Sequence, residues 1–191
     1  MSYAPDSAVD WLVLHYSATP IDGRPITAAD IDEMHRRRGF RENGYHFFIR
    51  RDGTVETGRD LSEPGLFETG AHSQGENGRS IGICYEGGVT QANPDRGFDT
   101  RTPEQTAAMI RLIRELLVRF PDAEVEGHRD MPGAATQCPG FDGAAWWASV
   151  ATGEPTAPAQ ETAAERPSSE ARLRWRLAEI RDLANRALEG R

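Results

Sequence analysis

Three side chains in this sequence, those of His15, His128 and Cys138, are of types that bind zinc. His15 ends an apolar run, and Cys138 follows His128 in a segment rich in proline and glycine. Two imidazoles and one thiolate suit zinc, and three protein ligands leave the fourth tetrahedral position to water. The three residues therefore indicate a catalytic metal site. Their spacing alone also fits hydrogen-bonded histidines and a packed thiol.

Apolar runs predict the strands that must position these side chains. The run that ends in His15 and the short one that precedes His128 are typical of strands. Asp52-Gly53 is a preferred dipeptide of two-residue hairpin turns, so it predicts that the flanking strands pair. The predicted strands cover residues 11–16, 45–50, 54–57, 80–85 and 123–128.

Capping residues and helical spacing predict the helices. Thr27 is a suitable N-cap for a helix that runs to about Arg38, and Thr102 with Gln105 forms a capping box for a second helix that stops before Pro121. The pair Trp146-Trp147 is expected in a short third helix. Because strands and helices alternate, we predict an α/β fold with a mixed central sheet flanked by helices.

The composition changes near residue 151, which predicts three parts. Residues 1–150 have the pattern of a folded domain, 151–168 have the proline- and alanine-rich composition of a linker, and 169–191 have the spacing of an amphipathic helix. We expect that helix to dock on the domain, to associate with another copy, or to contact the cell envelope.

The charge of the chain limits its partners. The 191 residues carry 22 basic and 30 acidic side chains, a net charge of −8, and every basic residue is arginine. This balance argues against nucleic acid as a partner. No run is long and apolar enough for a transmembrane helix, and the start lacks the pattern of a secretory signal, so we expect synthesis in the cytoplasm.

Five local sequences, in a fixed order, specify the prediction further. They are Val13-Leu14-His15-Tyr16-Ser17-Ala18-Thr19, Gly44-Tyr45-His46-Phe47-Phe48-Ile49, Gly70-Ala71-His72 with Asn77, Ser80-Ile81-Gly82-Ile83, and Gly127-His128-Arg129-Asp130 leading to Thr136-Gln137-Cys138-Pro139-Gly140-Phe141-Asp142. Over residues 10–147 the sequence closely resembles the zinc-dependent N-acetylmuramoyl-L-alanine amidases of type 2. That family includes phage lysozyme-type endolysins and animal peptidoglycan recognition proteins.

The resemblance implies an activity, a cofactor and site residues. The expected substrate is peptidoglycan, cut between N-acetylmuramic acid and L-alanine, with one Zn²⁺ per chain and zinc-bound water as the nucleophile. By position, His15, His128 and Cys138 match the zinc ligands. Tyr45 matches the catalytic tyrosine, and Thr136 matches a position that is lysine in some phage members and threonine in recognition-protein members.

Other side chains in the motifs have less specific expectations. His72 and Asn77 resemble residues at the rim of the substrate groove, so we expect them to contact substrate, although ordinary loop hydrogen bonding also explains them. His35 lies beside three arginines and is expected on a solvated helix face, and Cys84 is expected in the core.

Three alternatives use the same residues differently. Cys138 could be a nucleophile with His128 as its base, the domain could bind peptidoglycan without cutting it, or it could be an amidase that recycles cytoplasmic muropeptides. The favoured hypothesis is a phage or prophage endolysin that reaches the cell wall after the membrane is permeabilised.

Overall fold

The computed structural model describes residues 2–152. In this part of the chain, strands and helices alternate as predicted, and three of the connections contain a single turn of 3-10 helix. The elements are β1 (Tyr3–Pro5), β2 (Trp11–Tyr16), β3 (Thr19–Pro20), α1 (Ala28–Arg37), β4 (Phe47–Ile49), β5 (Val55–Thr57), β6 (Leu66–Glu68), β7 (Ser80–Tyr85), β8 (Gly88–Val89), α2 (Pro103–Arg119), β9 (Glu124–Gly127) and α3 (Gly143–Thr152).

The predicted mixed sheet is confirmed and has the strand order β5-β4-β7-β2-β9. Strand β2 pairs in parallel with both β7 and β9, β4 pairs in parallel with β7, and β5 is antiparallel to β4. In this register His15 lies opposite Cys84, and Leu14 lies opposite Gly127. His128 follows Gly127 directly, so it leaves the sheet at the same edge as His15.

The inner strands are covered on both faces, as expected for parallel strands with continuous apolar runs. Leu12, Val13 and Leu14 of β2 have no exposed surface, and all six residues of β7 are buried. This packing fixes the carboxyl ends of the two strands, where ligands commonly bind in open α/β sheets.

The two predicted capped helices are confirmed. Thr27 caps α1 and Thr102 caps α2, each through a complete capping box. Gln105, in the first turn of α2, also donates through Nε2 to the carbonyl oxygens of Ile49 and Glu86. The start of α2 is therefore attached to the ends of β4 and β7.

The hairpin prediction is also confirmed, since Gly53 has a φ of +81° and joins the antiparallel strands β4 and β5. Residues up to Ala144 form one compact unit, and α3 contains Trp146 and Trp147 as predicted. Beyond its first two residues, which end α3, the predicted linker lies outside the described residues, as does the terminal helix at 169–191. The division into three parts therefore stays a prediction. Within residues 2–152 no helix is both long and apolar enough to cross a bilayer.

Candidate metal centre and active-site cavity

The structure brings together the three side chains that were predicted to bind a metal. One ligand atom from each of His15, His128 and Cys138 lies within 4.8 Å of the others. Cys138 Sγ is 3.7 Å from His15 Nδ1, and the centroids of the two imidazole rings are 4.5 Å apart. These spacings fit donors that converge on one metal ion.

Hydrogen bonds hold the Cys138 loop against the edge of the sheet. The backbone N–H of Tyr16 donates to Cys138 Sγ at 3.2 Å, and that of Arg129 donates to the Cys138 carbonyl at 2.7 Å. The Tyr85 hydroxyl donates to the Pro139 carbonyl at 2.8 Å. Residues at or just after the ends of β2, β7 and β9 thus position the Cys138 thiol, which lies on a loop.

Burial sets the protonation of these groups. It lowers the pKa of His15 well below its ordinary value and lowers that of His128, so both rings are neutral and able to coordinate. Burial raises the pKa of the Cys138 thiol to about 12, against the smaller opposite effect of the Tyr16 N–H. A bound cation favours the thiolate that burial alone disfavours. The donor set and its surroundings therefore fit a metal ion.

The same values argue against Cys138 as a nucleophile. Catalytic cysteines have a lowered pKa, commonly because an imidazolium ion is nearby. Here the thiol pKa is raised, and the pKa of the adjacent His15 is lowered. A thiolate–imidazolium pair is therefore disfavoured.

Tyr45 lies beside the candidate metal ligands. Its ring centroid is 5.1 Å from that of His15, and its backbone is fixed by hydrogen bonds to the Asn43 side chain and the Arg59 N–H. Burial, followed by the neighbouring Cys84 and Cys138, raises the pKa of the Tyr45 phenol well above its ordinary value. The phenol therefore keeps its proton at neutral pH and is a hydrogen-bond donor.

Thr136 is partly buried and lines the same cavity. Its Oγ1 accepts the backbone N–H of Cys138 at 3.1 Å. The hydroxyl proton is not used in that bond, and the Tyr16 phenol is its side-chain partner. A ligand in the cavity would take the place of Tyr16 as the acceptor of this proton.

His72 and Asn77 are both next to this cavity, but they differ in their surroundings. His72 is 9% exposed, and its Nδ1 lies 3.1 Å from Nε2 of His15. Asn77 is partly buried, and its Oδ1 accepts the backbone N–H groups of His72 and Ser73. His72 therefore contacts the candidate metal ligand His15 directly, and Asn77 holds the loop that carries His72.

His35 was predicted on a solvated face, and this prediction is wrong. The side chain is 6% exposed, its Nδ1 accepts the Gly44 N–H at 2.9 Å, and its ring packs against Phe40 and Tyr45. The helical spacing from buried Ile31 to His35 contained this signal, because residues four apart share a helix face. Cys84, in contrast, is fully buried as predicted.

The candidate metal ligands open into a cavity of about 570 Å³. Its described lining contains no aspartate or glutamate, and Arg38 is its one arginine. The full described lining is Tyr16, Ser17, Ala18, His35, Arg38, Phe40, Tyr45, Ala71, His72, Ser73, Gln74, Asn77, His128, Pro132, Gly133, Ala134, Ala135, Thr136 and Cys138.

Comparisons with known proteins agree with this geometry. Residues 5–141 match the family described as N-acetylmuramoyl-L-alanine amidase. The endolysin of Klebsiella phage KP32 is 38% identical over 137 residues, which cover 71% of this chain and 83% of that protein. The endolysin of Escherichia phage T7 is 36% identical over 142 residues, covering 73% and 86%. The solved N-acetylmuramoyl-L-alanine amidase LysC from Clostridium intestinale superposes with a TM-score of 0.61 at 28% identity, covering 80% of this chain and 91% of that one.

The raised pKa of Cys138 predicts how the thiol reacts in metal-free protein. With Cys84 replaced by Ala, thiol labelling at pH 7.5 should be at least about 100-fold slower in folded than in urea-unfolded protein, where the thiol pKa is about 8.5. Because the folded pKa is about 12, the labelling rate should keep rising above pH 9. By the same linkage, metal-free protein should lose stability as pH rises above about 8.5. A rate that levels off near pH 9 in folded protein contradicts the raised pKa.

Proposed function

The chain belongs to the N-acetylmuramoyl-L-alanine amidase family, and we propose that it hydrolyses the amide bond between the lactyl group of N-acetylmuramic acid and L-alanine in peptidoglycan. The observation that carries this proposal is the convergence of His15, His128 and Cys138 beside Tyr45 in one cavity. Phage endolysins resemble the chain over most of their length, which supports a role in cell-wall degradation during host lysis.

The cofactor we propose is one zinc ion, held by His15, His128 and Cys138. Their nitrogen and sulfur donors match the preferences of zinc, and three protein ligands leave a position open to substrate or water. When bound, the ion supplies Lewis acidity at the scissile carbonyl and makes water a stronger acid. The Tyr16 N–H stabilises the thiolate form of Cys138 through its hydrogen bond to Sγ.

Tyr45 and Thr136 are the proposed catalytic donors. The Tyr45 phenol keeps its proton, and its ring lies 5.1 Å from that of His15. Its side-chain hydrogen-bond partner in the structure is Cys84, and by turning from Cys84 the hydroxyl would donate to the oxygen that gains negative charge during attack on the amide. The Thr136 hydroxyl is a second, neutral donor, and it lies on the loop that carries Cys138. The chain contains no lysine, so neither donor is an ammonium group.

Asn77, which holds the loop that carries His72, is the proposed substrate contact. It borders the cavity and is only partly buried. For His72, the substrate-contact hypothesis competes with the direct hydrogen bond to His15.

The function is tested by metal analysis combined with mass spectrometry of digested peptidoglycan. Purified protein should contain about one zinc per chain and should release new L-alanine amino termini. Cys138→Ala should lose most of the zinc and the cleavage. Cys84→Ala is the matched control, because Cys84 is equally buried but is not among the converging donors, and it should keep the zinc.

Three results would contradict the proposal in different ways. Cleavage that survives exhaustive chelation supports a thiol nucleophile. Wall binding by zinc-loaded protein without new L-alanine termini supports a binding module. Cleavage at a different bond removes the assigned reaction.

Tyr45→Phe isolates the phenol hydroxyl. The ring stays in place, so zinc content and KM should change little, whereas kcat should fall about 100-fold to 1,000-fold because a donor to the developing charge is lost. Steady-state kinetics on a defined muropeptide measure this. An unchanged kcat in zinc-loaded Tyr45→Phe protein removes Tyr45 from the catalytic groups.

A further inference from the structure

Arg38 differs from the two arginines that precede it. Arg36 pairs with Asp32 at 2.7 Å, and Arg37 pairs with Glu33 at 2.5 Å, each one helical turn back. Arg38 follows α1 as its C-cap residue and makes no ion pair within the described part of the chain. It is the member of the three that lines the cavity.

A neighbouring aromatic ring supports the Arg38 side chain. Its guanidinium carbon lies 5.3 Å from the centroid of the Phe40 ring, within the range of a cation–π contact. Phe40 is 37% exposed and also lines the cavity. The guanidinium is therefore supported by an apolar surface, and no carboxylate among residues 2–152 forms an ion pair with it.

The charged side chains of the cavity lining favour an anionic ligand. Among its described lining residues there is no acidic side chain that would repel an anion or neutralise Arg38. The chain as a whole has a net charge of −8, so this wall contrasts with the rest of the protein. Guanidinium groups bind carboxylates through paired, charge-assisted hydrogen bonds.

We propose that Arg38 binds a free carboxylate of the peptide part of the substrate, so that the enzyme prefers acidic stem peptides over amidated ones. This inference rests on the proposed amidase function, since it assigns a peptide-binding role to a wall of the same cavity. The preference would originate in Arg38, which is exposed to solvent and is the one arginine in a described cavity lining without acidic side chains.

The test compares two synthetic muropeptides that differ only in whether the peptide carboxylates are free or amidated. Wild-type protein should show a kcat/KM about 10-fold to 100-fold higher for the free acid, with the preference shrinking as salt is added. Arg38→Gln should reduce the preference to less than about threefold by losing activity on the free acid alone. Arg38→Lys, which keeps a charge without the planar fork, should be intermediate.

Arg36→Gln and Arg37→Gln are the matched controls, because they remove equal charge from the same helix outside the cavity. Both should keep the wild-type preference. The proposal is overturned if wild-type protein does not discriminate, if Arg38→Gln still does, or if Arg38→Gln weakens turnover of both substrates equally. Failure of wild-type protein to cut either substrate at the lactyl–alanine bond instead overturns the proposed function.

A second, independent observation concerns His72, whose ring is enclosed by two glycines. A Cβ atom at Gly70 would lie 2.5 Å from His72 Cδ2, and one at Gly82 would lie 2.6 Å from it. Real Cβ atoms do not approach other atoms so closely, so the ring occupies space that any larger residue would close. Asn77 fixes the backbone of the same residue through the His72 N–H at 2.8 Å. This slot between Gly70 and Gly82 holds the His72 ring edge-on to the His15 ring, with the two ring centroids 5.0 Å apart.

The hydrogen bond between the two rings has only one direction when a metal is bound. His15 Nδ1 faces Cys138 Sγ and carries the lone pair for the metal, so the proton of a neutral His15 ring is on Nε2. Nε2 then donates to His72 Nδ1, which lies 3.1 Å away. His72 in turn carries its proton on Nε2.

The geometry points to His72 as a positioning residue that fixes the tautomer and ring orientation of the metal-binding His15. Ligand imidazoles in metal sites usually donate their second N–H to such a partner, and loss of the partner weakens metal binding about 10-fold to 100-fold. This assignment replaces direct substrate contact as the main role of His72. It concerns zinc affinity, so it is measurable without turnover.

Two substitutions at His72 separate orientation from simple packing. Asn places an oxygen acceptor near the position of Nδ1, whereas Leu fills the slot without an acceptor. By chelator competition, His72→Leu should bind zinc about 10-fold to 100-fold more weakly, and His72→Asn should recover most of this loss. His35→Gln, at another buried cavity histidine that does not contact His15, should keep its zinc affinity within about threefold.

Nitrogen-15 NMR of zinc-loaded wild-type protein gives a readout that needs no variant. We expect His15 to be protonated at Nε2 and His72 at Nε2. A proton on Nδ1 of His72, wild-type zinc affinity in His72→Leu, or equal losses in the Leu and Asn variants each overturn the assignment. Loss of peptidoglycan cleavage with unchanged zinc affinity restores the substrate-contact hypothesis.

Discussion

The candidate site depends on the parallel pairing of β2 with β7 and β9. Parallel neighbours end at the same edge of a sheet, so His15, the penultimate residue of β2, and His128, which follows β9, lie side by side. Neither His15 nor His128 needs a long loop to reach the other. The third donor, Cys138, does come from a loop, and the backbone N–H of Tyr16, adjacent to His15, donates to its sulfur. The sheet thus fixes two donors directly and the third by one hydrogen bond.

The same packing explains why polar groups tolerate their burial here. His15 is 1% exposed and Cys138 is 4% exposed, in surroundings that favour neutral forms. Uncharged imidazoles cost less to bury than charged ones, and a thiol costs less than a thiolate. A divalent ion reverses the balance for the sulfur. The fold therefore holds donors whose electrostatic requirements are met when the metal is bound.

Local signals predicted the parts of the fold that local physics determines. The caps at Thr27 and Thr102 and the turn at Asp52-Gly53 each satisfy backbone geometry within a few residues, and each was predicted correctly. His35 was placed wrongly because the adjacent arginines suggested a solvated face, whereas its spacing from Ile31 determines which side is buried. The contact between His15 and His72 joins residues 57 positions apart. The periodicity of apolar residues does not predict such a pairing, so the contact between His15 and His72 follows only from the folded structure.

Charge distribution connects the whole chain to the cavity. An average over all residues, −8 for the chain, suggests that an anionic substrate is repelled. That average conceals a cavity lining whose described residues include one arginine and no carboxylate. At physiological salt, exposed charges more than about 8 Å away are largely screened, so the groups that line the cavity dominate what a bound peptide experiences. Since the nearby Arg36 and Arg37 are already neutralised by their own helix, the local field depends on whether Arg38 is paired. The proposed binding of an acidic peptide therefore needs no general attraction of the protein to anionic polymers.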